Sequence, residues 1–245
     1  MNIAGDTHTH TIACGHAFST LGENIAAAKA LGHRFLCFTE HAPAMVDGMK
    51  YWYFKSMVRA VPREVDGLVM LRGTEVNILD EDGTLDLPSR VLEGLDWVVA
   101  SLHEIFAPKA LPRGEEAVAR AWQAVARTPH VDCIGHLGNP RMATDYRRVL
   151  GYFKEGDKIV ELNCSSHLAR PGSDPNCREI AALCKEMELP MVLSSDAHFS
   201  TQIGDVQWGL DLIRDLDIPE DLVLNLDYGR FRAEIQRRRG ILLPE

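Results

Sequence analysis

Phe35-Leu36-Cys37-Phe38-Thr39-Glu40-His41 is an unbroken apolar run that turns polar only at its last two residues. A strand with one wet face alternates. A run without alternation belongs to a strand covered on both faces, as in a parallel sheet flanked by helices. Working outward, the same design recurs. Val69 to Val76 is an apolar strand with Glu75 near its end, and Trp97 to Ser101 leads into Leu102-His103-Glu104. Val131 to Gly135 ends in His136, and Ile159 to Asn163 ends in Cys164-Ser165-Ser166. Met191 to Ser195 ends in Asp196-Ala197-His198. Upstream, the short apolar start Asn2 to Gly5 runs into Asp6-Thr7-His8-Thr9-His10, with His16 after a Cys-Gly turn.

Helical spacing fills the intervals. Leu21, Ile25, Ala28 and Leu31 follow a cap at Ser19 or Thr20, and Gly32 ends the run. Further helices are expected from Phe54 toward Val65, shortened or kinked by Pro62, and at Pro88–Leu95, Glu115–Arg127, Tyr146–Phe153, Asn176–Met187 and Val206–Leu216. Pro43–Trp52 reads as a long loop whose Met45, Met49, Tyr51 and Trp52 can wall a pocket. Ile78–Leu87 reads as a hairpin around Asp82-Gly83, and His167–Pro175 as a loop. The basic tail, Arg230 to Arg239, reads as a solvated helix face. Alternating strands and helices imply parallel strands joined by right-handed crossovers. Seven such units, without linkers or low complexity, fit a TIM-like (β/α)7 barrel, closed or nearly so, with residues 1–245 as a single α/β domain.

Composition narrows the class. The 245 residues are 46% hydrophobic and 25% charged, as in ordinary globular chains. No apolar run is long enough for a membrane span, and no secretory signal is evident. A formal net charge of -9 argues against gripping long nucleic acid. The six cysteines form no Cys-x-x-Cys pair and sit largely in apolar segments, which predicts buried thiols in a reducing cytoplasm. Homo-oligomerisation is left open.

A lone His-x-His is often a surface accident, so the remaining ligands decide. His8, His10, His41, Glu75, His103, His136, Asp196 and His198 all fall at or just past strand C-terminal ends, and His16 follows the first. In a parallel barrel those ends share one face, where sites are built. His33 and His130 fall at the other ends of their elements and serve as a control, while His167 is ambiguous. Nine N and O ligands exceed what one ion takes. Two or three ions sharing a carboxylate fit better, and imidazole-rich ligation suits zinc, iron or manganese. Such clusters suit phosphate-ester hydrolysis by a metal-bridging hydroxide. Arg170 is a candidate phosphate clamp, with Ser165, Ser166 and Ser173 as hydroxyl donors.

Asp6-x-His8-x-His10, Thr39-Glu40-His41, Gly73-x-Glu75, Ser101-x-His103, Gly135-His136 and Ser195-Asp196-Ala197-His198 resemble, in order, the motifs of the polymerase and histidinol phosphatase (PHP) superfamily. The resemblance is strongest to its YcdX-type stand-alone phosphatases. It implies a distorted seven-stranded barrel and a trinuclear site, usually described with zinc. His8, His10, Glu75 and Asp196 would hold one ion. Glu75, His103 and His136 would hold a second, with Glu75 bridging, and His16, His41 and His198 a third. Glu75, Asp196 and Arg170 would be the catalytic set. Glu40 departs from the aspartate of many relatives, and the histidinol-phosphatase branch usually has a longer chain. The expected activity is hydrolysis of small phosphate monoesters. The alternatives are a 3′-5′ exonuclease or phosphodiesterase and a non-catalytic metal-stabilised regulatory module. An amidohydrolase would want a strand-end lysine, which this chain lacks.

Overall fold

The computed structural model describes residues 1–104 and 111–245. Its strands are β1 (Gly5–Asp6), β2 (Phe35–Phe38), β3 (Glu64–Val65), β4 (Leu68–Asn77), β5 (Trp97–Ser101), β6 (Cys133–Ile134), β7 (Ile159–Asn163) and β8 (Met191–Ser194). Seven of them run parallel in the order β1-β2-β4-β5-β6-β7-β8, while β3 pairs antiparallel with β4. The helices are α1 (Leu21–Ala30), α2 (Tyr51–Ala60), α3 (Ser89–Leu92), α4 (Glu115–Ala126), α5 (Tyr146–Glu155), α6 (Ser166–Ala169), α7 (Asp174–Met187), α8 (Gln207–Asp215) and α9 (Tyr228–Arg239). The result is a nearly closed parallel α/β barrel of the TIM-like kind.

The period of two sorts every strand into an inner and an outer line. Phe35, Cys37, Val69, Leu71, Trp97, Val99, Ile159 and Val192 fill the interior. Their neighbours Leu36, Phe38, Met70, Val98, Val160 and Leu193 pack outward in the core shared with the helices. Both faces of β2 are therefore dry, which is why its sequence never alternates. Continued toward the C-terminal ends, the inner lines turn polar. Leu71 is followed by Gly73, Glu75 and Asn77, and Ile159 by Glu161 and Asn163.

The seam between β8 and β1 is closed by a backbone bridge between Thr9 and Ala197, just past the two strands, and by the segment around Asn225. Asn225, fully buried, donates from Nδ2 to the carbonyls of Gly5 (3.0 Å) and Leu193 (2.8 Å), and its Oδ1 accepts from the Leu193 amide (2.9 Å). One carboxamide thus imitates the missing strand pairing on both flanks.

Several boundaries differ from expectation. The first strand is only Gly5–Asp6, which places His8 and His10 in the backbone just beyond it. The helix after Pro43–Lys50 begins at Tyr51 and stops at Ala60, before Pro62, because proline cannot donate to the helical ladder. The stretch read as a loop from His167 contains the end of α6, a single helical turn. The largest correction concerns the basic tail. α9 closes the barrel's N-terminal end instead of lying in solvent. Phe231 and Ile235, one helical turn apart, enter the inner core, where the Phe231 ring stacks on Phe35 at 4.2 Å and meets Trp97 at 5.4 Å. Arg239, with 4% of its side chain exposed, pairs with Asp132 and donates to the carbonyls of Leu92 and His130.

Candidate metal centre

Five strand ends and the loops after them converge on Glu75, whose carboxylate is enclosed at the inner end of β4. Its Oε2 lies 2.7 Å from Nδ1 of His41, 3.4 Å from Nε2 of His8 and 3.7 Å from Nε2 of His10. Its Oε1 lies 2.9 Å from Nε2 of His136 and 3.2 Å from Nε2 of His103. Asp196 Oδ1 stands 3.3 Å from Nε2 of His10 and 3.6 Å from Nε2 of His8. Nε2 of His16 faces Nε2 of His41 at 3.2 Å, and the His198 ring lies 4.8 Å from that of His16. All nine side chains proposed as ligands from the sequence are therefore gathered in one cluster.

Much of that cluster is unsatisfied by protein. Nε2 of His8, Nε2 of His10, Nδ1 of His41 and Oε2 of Glu75 are buried without a hydrogen-bond partner among the described residues. Such orphaned atoms are expensive unless something else completes them. Two nitrogens at ordinary zinc distances in a tetrahedral site lie roughly 3.3 Å apart. The His16–His41 and His103–His136 nitrogen pairs are both 3.2 Å apart. The donor set thus fits divalent cations. Asp196 (φ 53°) and His136 (φ 27°) also occupy the left-handed region, a conformation that L side chains hold only when their surroundings enforce it.

The outward nitrogens explain the aim of the inward ones. Nδ1 of His8 faces Glu161 Oε1 at 2.6 Å, Nδ1 of His16 faces Asp47 Oδ2 at 2.7 Å, and Nδ1 of His103 faces Asn77 Oδ1 at 2.7 Å. Nδ1 of His198 is 2.8 Å from the carbonyl of Asp196. A partner on one ring nitrogen fixes the tautomer and turns the other toward the centre. Asp6 performs a related task on the backbone. It accepts from the amides of His8 (3.3 Å), Ser195 (3.2 Å) and Gly204 (2.9 Å) and from the Ser195 hydroxyl (2.5 Å), so the ends of β1 and β8 are locked together.

Burial, seconded by Arg170, pushes His136 down to about 4, so its ring is neutral at pH 7 and can offer a lone pair. Burial alone would raise Glu75, but the imidazoles of His103, His8 and His41 hold it well below the usual carboxylate range. Cys14 points its sulfur at Glu40. Burial and then Glu40 push its pKa up, and its S–H donates to Glu40 Oε2 at 2.8 Å. Glu40 also accepts from the Thr11 hydroxyl (2.6 Å), so it braces the loop leading to His16.

A cavity of about 610 Å³ opens over the cluster, lined among others by Met45, Asp47, Leu102, Pro140, Arg141 and Arg170. Of the residues expected to wall it, Met45 does so. Met49 and Tyr51 pack on the outer core and Trp52 is exposed. Arg170 lies at the cavity edge, 3.5 Å from Asp196 Oδ2, and its Nη1 donates to Ser166 Oγ at 3.2 Å. The serines stand behind it. Ser165 and Ser166 donate to Asn163 Oδ1 at 3.0 and 3.1 Å, and the Ser173 hydroxyl is buried. The hydroxyls of Ser165 and Ser166 thus support the loop, whereas Arg170 reaches the cavity. Glu104 pairs with Arg141 at 3.0 Å. His167 stands apart, stacked on Trp208 at 5.3 Å, and His130 lines a separate cavity at the α9 end.

Sequence reading missed Glu161, Asn77 and Asp47. The first two share inner parity with Ile159 and Glu75, a signal that strand phase would have exposed. Asp47 sits in an irregular loop, where spacing carries no such signal.

A parallel barrel with a polyhistidine–carboxylate centre at its C-terminal face defines a class of metal-binding α/β barrel proteins. The PHP domain model matches residues 6–165, and the chain belongs to the PHP domain family. It is 41% identical over 242 residues to a "Probable phosphatase" of Thermoanaerobacter sp. (strain X514), covering 98% of this chain and 97% of that one. A "Probable phosphatase" of Aliivibrio fischeri (strain ATCC 700601 / ES114) is 38% identical over 247 residues, covering 100% and 98%. Among solved structures, the histidinol phosphate phosphatase of Lactococcus lactis, complexed with zinc, L-histidinol and phosphate, superposes with a TM-score of 0.61. It is 18% identical and covers 87% of this chain and 94% of that one, a likeness of fold.

Proposed function

We propose that this chain is a metal-dependent phosphoesterase that hydrolyses small phosphate monoesters at a site for three divalent cations, with zinc as the natural choice and iron or manganese as substitutes. The observation that carries this reading is the set of three imidazole nitrogens, of His8, His10 and His41, and the Glu75 Oε2, all buried together without a hydrogen-bond partner among the described residues. The phosphatase relatives and the zinc and phosphate in the Lactococcus lactis protein support it.

His8, His10, Glu75 and Asp196 would hold one ion, Glu75, His103 and His136 a second, and His16, His41 and His198 a third. Closely spaced divalent cations supply an activated water and offset phosphoryl charge. The chain's own residues do the rest. Arg170 holds a phosphoryl oxygen at the cavity edge, and its contact with Ser166 fixes its approach. Asp47 and Asn77 keep the outward nitrogens of His16 and His103 occupied. Met45, Leu102 and Pro140 give the leaving group an apolar wall. No helix among the described residues is long and apolar enough to cross a membrane. The six unpaired, buried cysteines suit a reducing cytoplasm.

Initial rates on an aryl phosphate monoester, a bis-aryl phosphate diester and a single-stranded oligonucleotide, each with and without added zinc, test the substrate class. The monoester should turn over fastest by at least about tenfold, which corresponds to about 1.4 kcal/mol of transition-state preference. Faster oligonucleotide degradation would make the chain an exonuclease instead.

A further inference from the structure

Glu161 lies fully enclosed on the inner line of β7, outside the lining of the cavity. Its Oε1 accepts from the Ser194 hydroxyl at 2.7 Å and faces Nδ1 of His8 at 2.6 Å. Its Oε2 accepts from the backbone amide of His136 at 2.6 Å and from Nδ2 of Asn163 at 3.2 Å. These contacts reach the segment after β1, the segment after β6 and the end of β8, two residues before Asp196. An ionised carboxylate offers only acceptors. With a hydroxyl and two N–H groups already directed at it, the hydrogen between it and His8 belongs to the imidazole.

We propose that Glu161 is a positioning residue for the metal centre. It holds His8 with its hydrogen on Nδ1, so that Nε2 meets Glu75 and Asp196 with a free lone pair. It also ties three ligand-bearing segments to β7. The same grip accounts for His136. Its left-handed backbone (φ 27°) carries a strain cost, and the amide bond to Glu161 holds that conformation in place. Glu161 touches neither substrate nor ions and acts through His8 and His136. This inference rests on the metal-dependent reading above.

The test is Glu161→Gln, which keeps the shape but replaces one acceptor with a donor. The new N–H₂ group must oppose either the His136 amide or Nδ1 of His8. Two readouts separate positioning from bulk stability. The first is the ¹H–¹⁵N imidazole spectrum of zinc-loaded, ¹⁵N-histidine-labelled protein, with His8 assigned by loss of its signal in His8→Gln. The second is zinc affinity by chelator competition. Wild type should show a hydrogen-bonded, downfield His8 Nδ1 proton. Glu161→Gln should lose it and bind zinc about 10- to 100-fold more weakly, with excess zinc restoring part of the turnover.

A Glu161→Gln protein with the downfield proton and wild-type zinc affinity would overturn the proposal. So would a wild-type spectrum in which the His8 hydrogen sits on Nε2, and that result needs no variant to fold. Wild-type protein that takes up no zinc would instead overturn the metal-dependent reading, whatever the variant does.

Discussion

Arg170 is the residue at which the proposed binding of a phosphoryl group can be tested apart from the building of the centre. It lines the cavity and approaches Asp196 at 3.5 Å, yet none of the close contacts around Glu75 depends on it. Arg170→Ala should lower kcat by about 10²- to 10³-fold, the usual effect of removing one preorganised donor, while metal content stays unchanged. Steady-state kinetics beside elemental analysis checks this. Loss of metal together with activity would show that Arg170 builds the site. At this scale the sequence was legible wherever strand parity governs. His8 and His10, two apart beyond β1, converge, and Glu75, His136 and Asp196 mark strand ends. Glu161 was hidden because the apolar run around it, Ile159 to Leu162, reads as core until the phase of β7 is known. Asp47 was hidden for a different reason, since its contact with His16 spans two irregular loops and follows no period.

Elements are joined at the other end of the strands by buried ion pairs. Asp96, just before β5, receives Nε and Nη2 of Arg72 on β4 at 2.7 and 3.1 Å, and Nη1 of Arg63 lies 2.7 Å away. Burial would raise the Asp96 carboxyl, but the two arginines outweigh it and hold it below the usual value of 3.8. A carboxyl with a lowered folded pKa contributes stability that is complete above its unfolded pKa and is lost as pH falls through the folded one. Asp96→Asn should therefore cost about 3–5 kcal/mol at neutral pH, because it leaves Arg72 buried without its partner. It should also flatten the acid limb below about pH 4. Urea midpoints from pH 7 down to pH 3 test both. An acid limb parallel to wild type would assign the pH dependence to other carboxyls. The strand sequences announced their burial, because covering on both faces removes alternation. The lengths of β1 and β6 did not follow, since their ends are set by contacts such as Asp6 with Ser195 rather than by local propensity.

For the molecule as a whole, the barrel is closed by two devices that the sequence disguises. Asn225 helps seal the β8–β1 seam from the short segment between α8 and α9, and α9 plugs the bottom behind a display of arginines. Charge dominates the reading of α9, whereas its apolar contribution to the inner core centres on Phe231 and Ile235, both fully buried. Phe231→Ala should cost about 3–5 kcal/mol, the range for emptying a buried aromatic site. A loss of less than about 1 kcal/mol in urea titration, as for a surface position, would return α9 to the solvent. The α/β barrel itself was legible because six of the seven parallel strands are continuous or nearly continuous apolar runs bounded by polar ends. Closure was not, because the Asn225 carboxamide and the isolated Thr9–Ala197 bridge leave no periodic trace.

The proposed function requires the convergent side chains around Glu75 to hold a cluster of cations that performs phosphate-ester hydrolysis. Elemental analysis of protein purified without added metal, run with hydrolysis of an aryl phosphate, tests it most directly. About three ions per chain are expected, zinc foremost, with turnover that disappears on chelation and returns with metal. One ion or none after reconstitution, or turnover indifferent to chelation, would contradict it.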